Sequence, residues 1–186
     1  GIDVTADDLV VVQGGVEGIL FAVLAVADPG DEILVTEPFY SNYSGVAAMA
    51  DVTLRAVTTT LENGFHLPPR EAVEALITPR TRAILVASPG NPTGCVYTHA
   101  EMTMLAEIAQ AHGLFFLSDE VYREFVYDGS VPVSALQLAG VEQNSVVIDS
   151  VSKRYSACGA RIGCLVSKNR ALIAATRAYA NIRLSA

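Results

Sequence analysis

The sequence holds 186 residues, 51% apolar and 17% charged, with a formal net charge of −8. That length suits one α/β domain with a substantial core and is too short for two large ones, while so high an apolar share excludes a disordered chain. An acidic balance without a lysine or arginine cluster excludes nucleic acid and anionic membrane surfaces as natural partners and leaves small molecules.

At the start of the chain, GIDVTADD has neither the basic nor the apolar part of a secretion signal. Leu9 to Val12 reads as a short buried strand entering the turn QGG. A helix is expected from Gly15 to Val26. Gly14 and Gly15 sit where strand becomes helix, so their amides can reach an anion at the positive helix end, although glycine in such a turn is more often purely structural. The longest apolar run, Gly18 to Ala27, is about half of what a bilayer span requires, so a soluble, cytoplasmic protein is expected.

AspProGly at residues 28–30 is a turn, and Glu32 to Val35 is the next strand, ending at EPFYSNY. Tyr40 and Tyr43 are three apart at the start of a helix through GVAAMA and can share one face near the mouth of a site; ordinary packing would also explain them. Thr53 to Val57 reads as an edge strand, Pro69 to Ile77 as a helix and Arg82 to Ser88 as a strongly apolar strand. That strand leads into SPGNPTG, Ser88 to Gly94, whose prolines and glycines force an irregular loop around the amide of Asn91.

Met102, Leu105, Ile108 and Ala109 recur at helical spacing between residues 99 and 112, before a stop at Gly113. LFFLSDEVY then carries Asp119 at the carboxyl end of a buried strand, where open α/β sheets bind ligands. A carboxylate so placed must be paired or hydrogen-bonded; capping a helix is its plainer use.

Val146 to Asp149 is a strand that delivers the chain into SVSKRYSACGARIG, Ser150 to Gly163. A lysine becomes nucleophilic when burial beside polar or cationic groups lowers its pKa from roughly 10.4. Lys153 is therefore a candidate Schiff-base former, against the plainer reading of a solvated lysine at a strand end. Gly163 to Ser167 and a helix from Asn169 to Asn181 complete the chain. The alternation of strand and helix implies a single α/β domain with a mostly parallel central sheet and helices on both faces. Cys95, Cys158 and Cys164 are odd in number without CxxC spacing, so they read as reduced thiols. His66, His99 and His112 are scattered, and no metal constellation is expected.

Taken together, VVQGGVEGI, EPFYSNY, SPGNPTG, SDEVY and SVSKRYSACGARIG resemble the class I/II (fold type I) pyridoxal-phosphate-dependent aminotransferases, in order and spacing, over nearly the whole chain. The resemblance implies the cofactor-binding large domain of such an enzyme. It implies that Lys153 bonds to the cofactor and later shuttles a proton, that Asp119 pairs with the pyridine nitrogen, and that Asn91 and Tyr122 donate to the phenolate oxygen. Tyr40 matches the residue stacked on the ring, which gives Tyr43 a lesser claim. The phosphate falls to Ser150, Ser152, Arg161 and the turn Gly14, Gly15 and Val16.

The family normally adds an N-terminal segment that helps form a dimeric active site. It also adds a C-terminal small domain whose arginine binds the substrate α-carboxylate, so this chain is expected to be a large domain without them, acting as a homodimer. An aminotransferase working on an amino acid, aspartate-type by resemblance alone, and a 2-oxo acid is the leading expectation. A C–S lyase or related fold type I enzyme, or a non-catalytic sensor domain that keeps the fold, is the alternative.

Overall fold

The computed structural model of the chain describes residues 2–127 and 129–183. Among them, β1 (Leu9–Val12), β2 (Glu32–Glu37), β3 (Thr53–Thr58), β4 (Thr81–Ala87), β5 (Phe115–Asp119), β6 (Ser145–Ser150) and β7 (Gly163–Val166) form one sheet in the order β1-β7-β6-β5-β4-β2-β3. The strands from β6 through β3 pair in parallel, whereas β7 runs against both of its neighbours. β3 lies at the edge, as its modest apolar pattern predicts.

The helices are α1 (Gly15–Val26), α2 (Asn42–Ala50), α3 (Arg70–Glu74), α4 (His99–His112), α5 (Val151–Arg154) and α6 (Arg170–Arg183). They divide the core in two. On one face of the sheet, α1, α2 and α6 close over Val10, Ile33, Leu117 and Ile148; on the other, α4 covers Ile84, Phe116 and Val147 with Met102, Leu105 and Ile108. Alternate residues of one strand thus serve opposite cores, so the central strands are apolar throughout instead of alternating. α1 is apolar on nearly every side because it lies between the sheet, α2 and α6.

Local signals set the ends. The Thr98 hydroxyl accepts from the Glu101 amide at 3.2 Å and the Glu101 carboxylate accepts from the Thr98 amide at 2.8 Å, which closes the start of α4; Gly113 ends it at φ 66°. α3 stops at Glu74, short of the expected Ile77. α5 was not expected at all: four residues are too few to print a helical period on a sequence.

The strand ends position everything that follows. β4, β5 and β6 run side by side with Ala87 opposite Asp119 and Asp119 opposite Ile148, so their carboxyl ends open onto one place. Because β7 is antiparallel to β6 with Gly163 opposite Ser150, the segment between them leaves and re-enters the sheet at the same level. This hairpin-like return brings Lys153 and Arg161 to one end of the sheet.

Candidate active site

A cleft of about 200 Å³ lies over the carboxyl ends of β4, β5 and β6. Of the residues the sequence singled out for a role, it unites all but Gly14, which adjoins Arg161, and Tyr43. Asn91 arrives from the loop after β4, Asp119 from the end of β5, Tyr122 from the turn beyond it, Ser150 from the end of β6 and Ser152 and Lys153 from α5. Gly15 and Val16 open α1, Tyr40 comes from the loop before α2, and Arg161 from the approach to β7.

Asp119 forms the floor. Its Oδ2 accepts a 2.7 Å hydrogen bond from the Tyr43 hydroxyl and its Oδ1 one of 3.2 Å from the Val121 amide. Burial pushes the Asp119 carboxyl above its ordinary range; the Tyr43 and Val121 donors oppose that shift, and the nearby charge of Asp149 adds to it. Among the described residues no cationic side chain pairs with it. A buried carboxylate held by two donors and facing an open cleft is suited to a cation that enters from outside.

One end of the cleft is suited to an anion. The first amides of α1 have no intrahelical acceptor and lie at the positive end of a twelve-residue helix. Ser150 and Ser152 place their hydroxyls 2.8 Å apart, with Ser150 Oγ accepting from the Ser152 amide at 3.1 Å and donating to the Ile162 carbonyl at 3.0 Å. Arg161, in the left-handed region at φ 50°, turns its guanidinium back onto the Cys158 and Gln13 carbonyls at 3.0 and 3.1 Å. Gly14, at φ 80°, is what admits it: a Cβ there would stand 2.4 Å from Arg161 Nη2.

Between these ends, Lys153 Nζ lies 5.7 Å from the centre of the Tyr122 ring. The Tyr40 ring meets that of Tyr43 edge to face at 5.7 Å, and its hydroxyl accepts from Asn42 Nδ2 at 2.7 Å. The cleft therefore offers an amine, a buried carboxylate and a nest of anion donors, with aromatic rings between them.

The sequence model for aminotransferase class I and II matches residues 1–185. The chain belongs to that family. It is 39% identical over 166 residues to an arginine–pyruvate transaminase of Pseudomonas aeruginosa, a match covering 89% of this chain and 42% of that protein. With an aspartate aminotransferase of Geobacillus stearothermophilus it shares 34% over 164 residues, covering 88% and 42%. The N-succinyldiaminopimelate aminotransferase structure of Mycobacterium tuberculosis superimposes with a TM-score of 0.88 at 34% identity, covering 95% of this chain and 46% of that one. An aspartate aminotransferase from Thermotoga maritima gives 0.90 at 31%, covering 97% and 48%. The chain spans less than half the length of each of these relatives.

Two expectations need correction. Tyr40 and Tyr43 do not share the cleft mouth: Tyr43 is only 2% exposed and lies beneath Tyr40, against Asp119, its hydroxyl pushed well above its ordinary pKa by burial and by that carboxylate. No sequence signal marks a partner 76 residues away. Lys153 is exposed and not buried among polar groups as the sequence reading requires. Arg183 pairs through Nε with Glu17 at 2.6 Å. The cysteines are free as expected; Cys95 is buried, its thiol pushed up to about 11. Among the described residues no helix is long and apolar enough to cross a membrane, and no cluster of metal-binding side chains occurs.

Proposed function

We propose that this chain is the cofactor-binding part of an enzyme that transfers an amino group between an amino acid and a 2-oxo acid, with pyridoxal phosphate in the cleft. The observation that carries this reading is Asp119: a buried carboxylate without a cationic partner among the described residues, on the floor of a cleft that also holds Lys153 and Arg161. The donor set fits the cofactor. Its phosphate dianion matches the α1 amides, the two serine hydroxyls and the Arg161 guanidinium, the last fitting only because Gly14 has no Cβ. Its protonated pyridine nitrogen supplies the cation that Asp119 lacks.

When bound, the cofactor supplies an electron sink for the charge left on the substrate carbon as its proton departs. The chain's own residues do the rest. Asp119 holds the proton on the ring nitrogen, and Tyr43 fixes the orientation of that carboxylate. Lys153 would hold the cofactor through its amine and carry the proton to and from the substrate carbon. Asn91 and Tyr122 would supply hydrogen-bond donors to the cofactor's phenolate oxygen, and Tyr40 an aromatic ring to hold it. Relatives named for arginine, aspartate and N-succinyldiaminopimelate all share this part of the chain. What the chain contributes is thus the cofactor site and not recognition of the donor side chain.

The segment between β6 and β7, with Tyr155 at 67% and Ile162 at 49% exposed, suits a covering partner. We assign that role to a second copy of the polypeptide, a homodimer, and the free thiols suit the cytoplasm. The test is a single-turnover reaction of the chain with pyridoxal phosphate and a panel of amino acids. Formation of a 2-oxo acid stoichiometric with the chain, without ammonia and lost in Lys153→Ala, supports transfer. Release of ammonia with pyruvate would replace transfer by elimination, and failure to bind pyridoxal phosphate would refute the reading as a whole.

A further inference from the structure

Beneath the cleft lies a cluster of charges that the proposed chemistry does not use. Arg123 and Arg154 are the immediate chain neighbours of Tyr122 and Lys153, and both reach the same carboxylate oxygen: Arg154 Nη2 donates to Asp149 Oδ2 at 2.9 Å and Arg123 Nη2 at 3.4 Å. Arg123 Nη1 also donates to Glu120 at 3.1 Å, a fully buried carboxylate next to Asp119. Glu124 joins the pair from outside, 3.5 Å from Arg154 Nε and 3.8 Å from Arg123 Nε. Asp149 is anchored in turn by the Ser150 amide at 2.7 Å.

The elements bearing Tyr122 and Lys153 cannot hold their own shape. α5 is a single turn of four residues, and residues 121–124 form a turn with no regular helix. Helical segments this short are not stable in isolation, so tertiary contacts must fix their orientation. The two arginines are only 28% and 22% exposed at the side chain, which places the bridge where charge pairs are weakly screened.

We infer that Arg123 and Arg154, clasping Asp149 and Glu124, are positioning residues that lock the Tyr122 turn and the Lys153 helix into one register. The Lys153 amine is thereby held over the Tyr122 ring while its side chain stays exposed to the cleft. The effect on Lys153 chemistry rests on the function proposed above; the mechanical coupling does not.

Both parts are tested with Arg154→Gln, Arg154→Lys and the milder Glu124→Gln, whose side chain is 56% exposed. In the cofactor-free chain, amide hydrogen exchange in Arg154→Gln should quicken about tenfold in residues 121–126 and 151–156 together, as loss of a charged hydrogen bond implies, with α4 unchanged. Arg154→Lys and Glu124→Gln should be intermediate. Loosening confined to residues 151–156 would overturn the coupling. With pyridoxal phosphate and borohydride, Arg154→Gln should form the Lys153-linked adduct about a hundredfold more slowly, the loss that a misplacement of about 1 Å brings, and Arg154→Lys should recover part of it. An unchanged trapping rate with a lowered melting temperature would make Arg154 a stabilising residue only and overturn the positioning role. A wild-type chain that forms no adduct would refute the proposed function, and the exchange result alone would then decide whether the bridge exists.

Discussion

Replacing Asp119 by asparagine separates what the cleft needs for stability from what it needs for chemistry. Burying a carboxylate costs several kcal/mol, and the Tyr43 and Val121 hydrogen bonds, at about 1.5 kcal/mol each, return about 3 kcal/mol in all. Without a cation the ionised Asp119 is therefore a net cost of about 1 kcal/mol or more to the cofactor-free fold. The sign follows from its raised pKa: the folded chain holds this proton more tightly than the unfolded one, so stability falls as pH rises from the ordinary carboxylate value towards the folded pKa. Asp119→Asn lacks that loss. In thermal melts of the cofactor-free chain, the variant should melt about 2–4 °C above wild type at neutral pH, and its advantage should vanish where the wild-type carboxyl is protonated. Pyridoxal phosphate should invert the order, because only the wild type gains an ion pair and ligand stabilisation grows with affinity. Lower stability of Asp119→Asn at neutral pH, or equal stabilisation of both proteins by the cofactor, would refute this account of the cleft floor.

The remaining predictions concern the supports of that floor and the anion end. Tyr43→Phe removes the 2.7 Å donor to Asp119 without emptying its pocket, so pyridoxal phosphate affinity by titration should fall about tenfold while the fold survives; unchanged affinity would show that Tyr43 only packs. Gly14→Ala puts a Cβ where Arg161 Nη2 lies and strains a backbone at φ 80°, so binding of both pyridoxal phosphate and inorganic phosphate, measured calorimetrically, should weaken by at least about tenfold. Retained phosphate affinity would place the anion elsewhere. Steady-state transamination by the 186-residue chain should stay far below the ordinary range of about 1–1000 per second, since substrate is poorly oriented without a second wall to the cleft; turnover in that range would show that this part suffices.

Apolar runs made most of the sheet legible in the sequence, because strands buried on both faces leave an unbroken run such as Arg82 to Ser88 or Val146 to Asp149. Punctuation by glycine, proline and polar residues marked where the strands ended, and ligands of an open α/β sheet gather at those ends; this is why Asn91, Asp119 and Lys153 stood out before any geometry was known, whereas Ser150 and Arg161 entered through the family resemblance. What escaped notice depends on contacts across the chain. The Tyr43–Asp119 bond, the Arg123–Asp149–Arg154 bridge and the pairing of Arg183 with Glu17 join residues whose local sequence is unexceptional. The reversal of β7 escaped for a different reason: the twelve residues 151–162 are long enough for a parallel crossover, and only the folded chain shows them returning as a tight loop. Exposure of Lys153 was equally illegible, since motif spacing fixes which residues meet but not which walls of a cleft a given chain provides.

The most direct test of the account is the site of covalent attachment. The chain has two lysines, Lys153 in the cleft and Lys168, just after β7 and paired with Asp8 at 3.0 Å. After incubation with pyridoxal phosphate and reduction with borohydride, peptide mass spectrometry should find the cofactor on Lys153, with the adduct gone in Lys153→Ala and undiminished in Lys168→Ala. An adduct on Lys168, or one that persists in Lys153→Ala, would contradict the account.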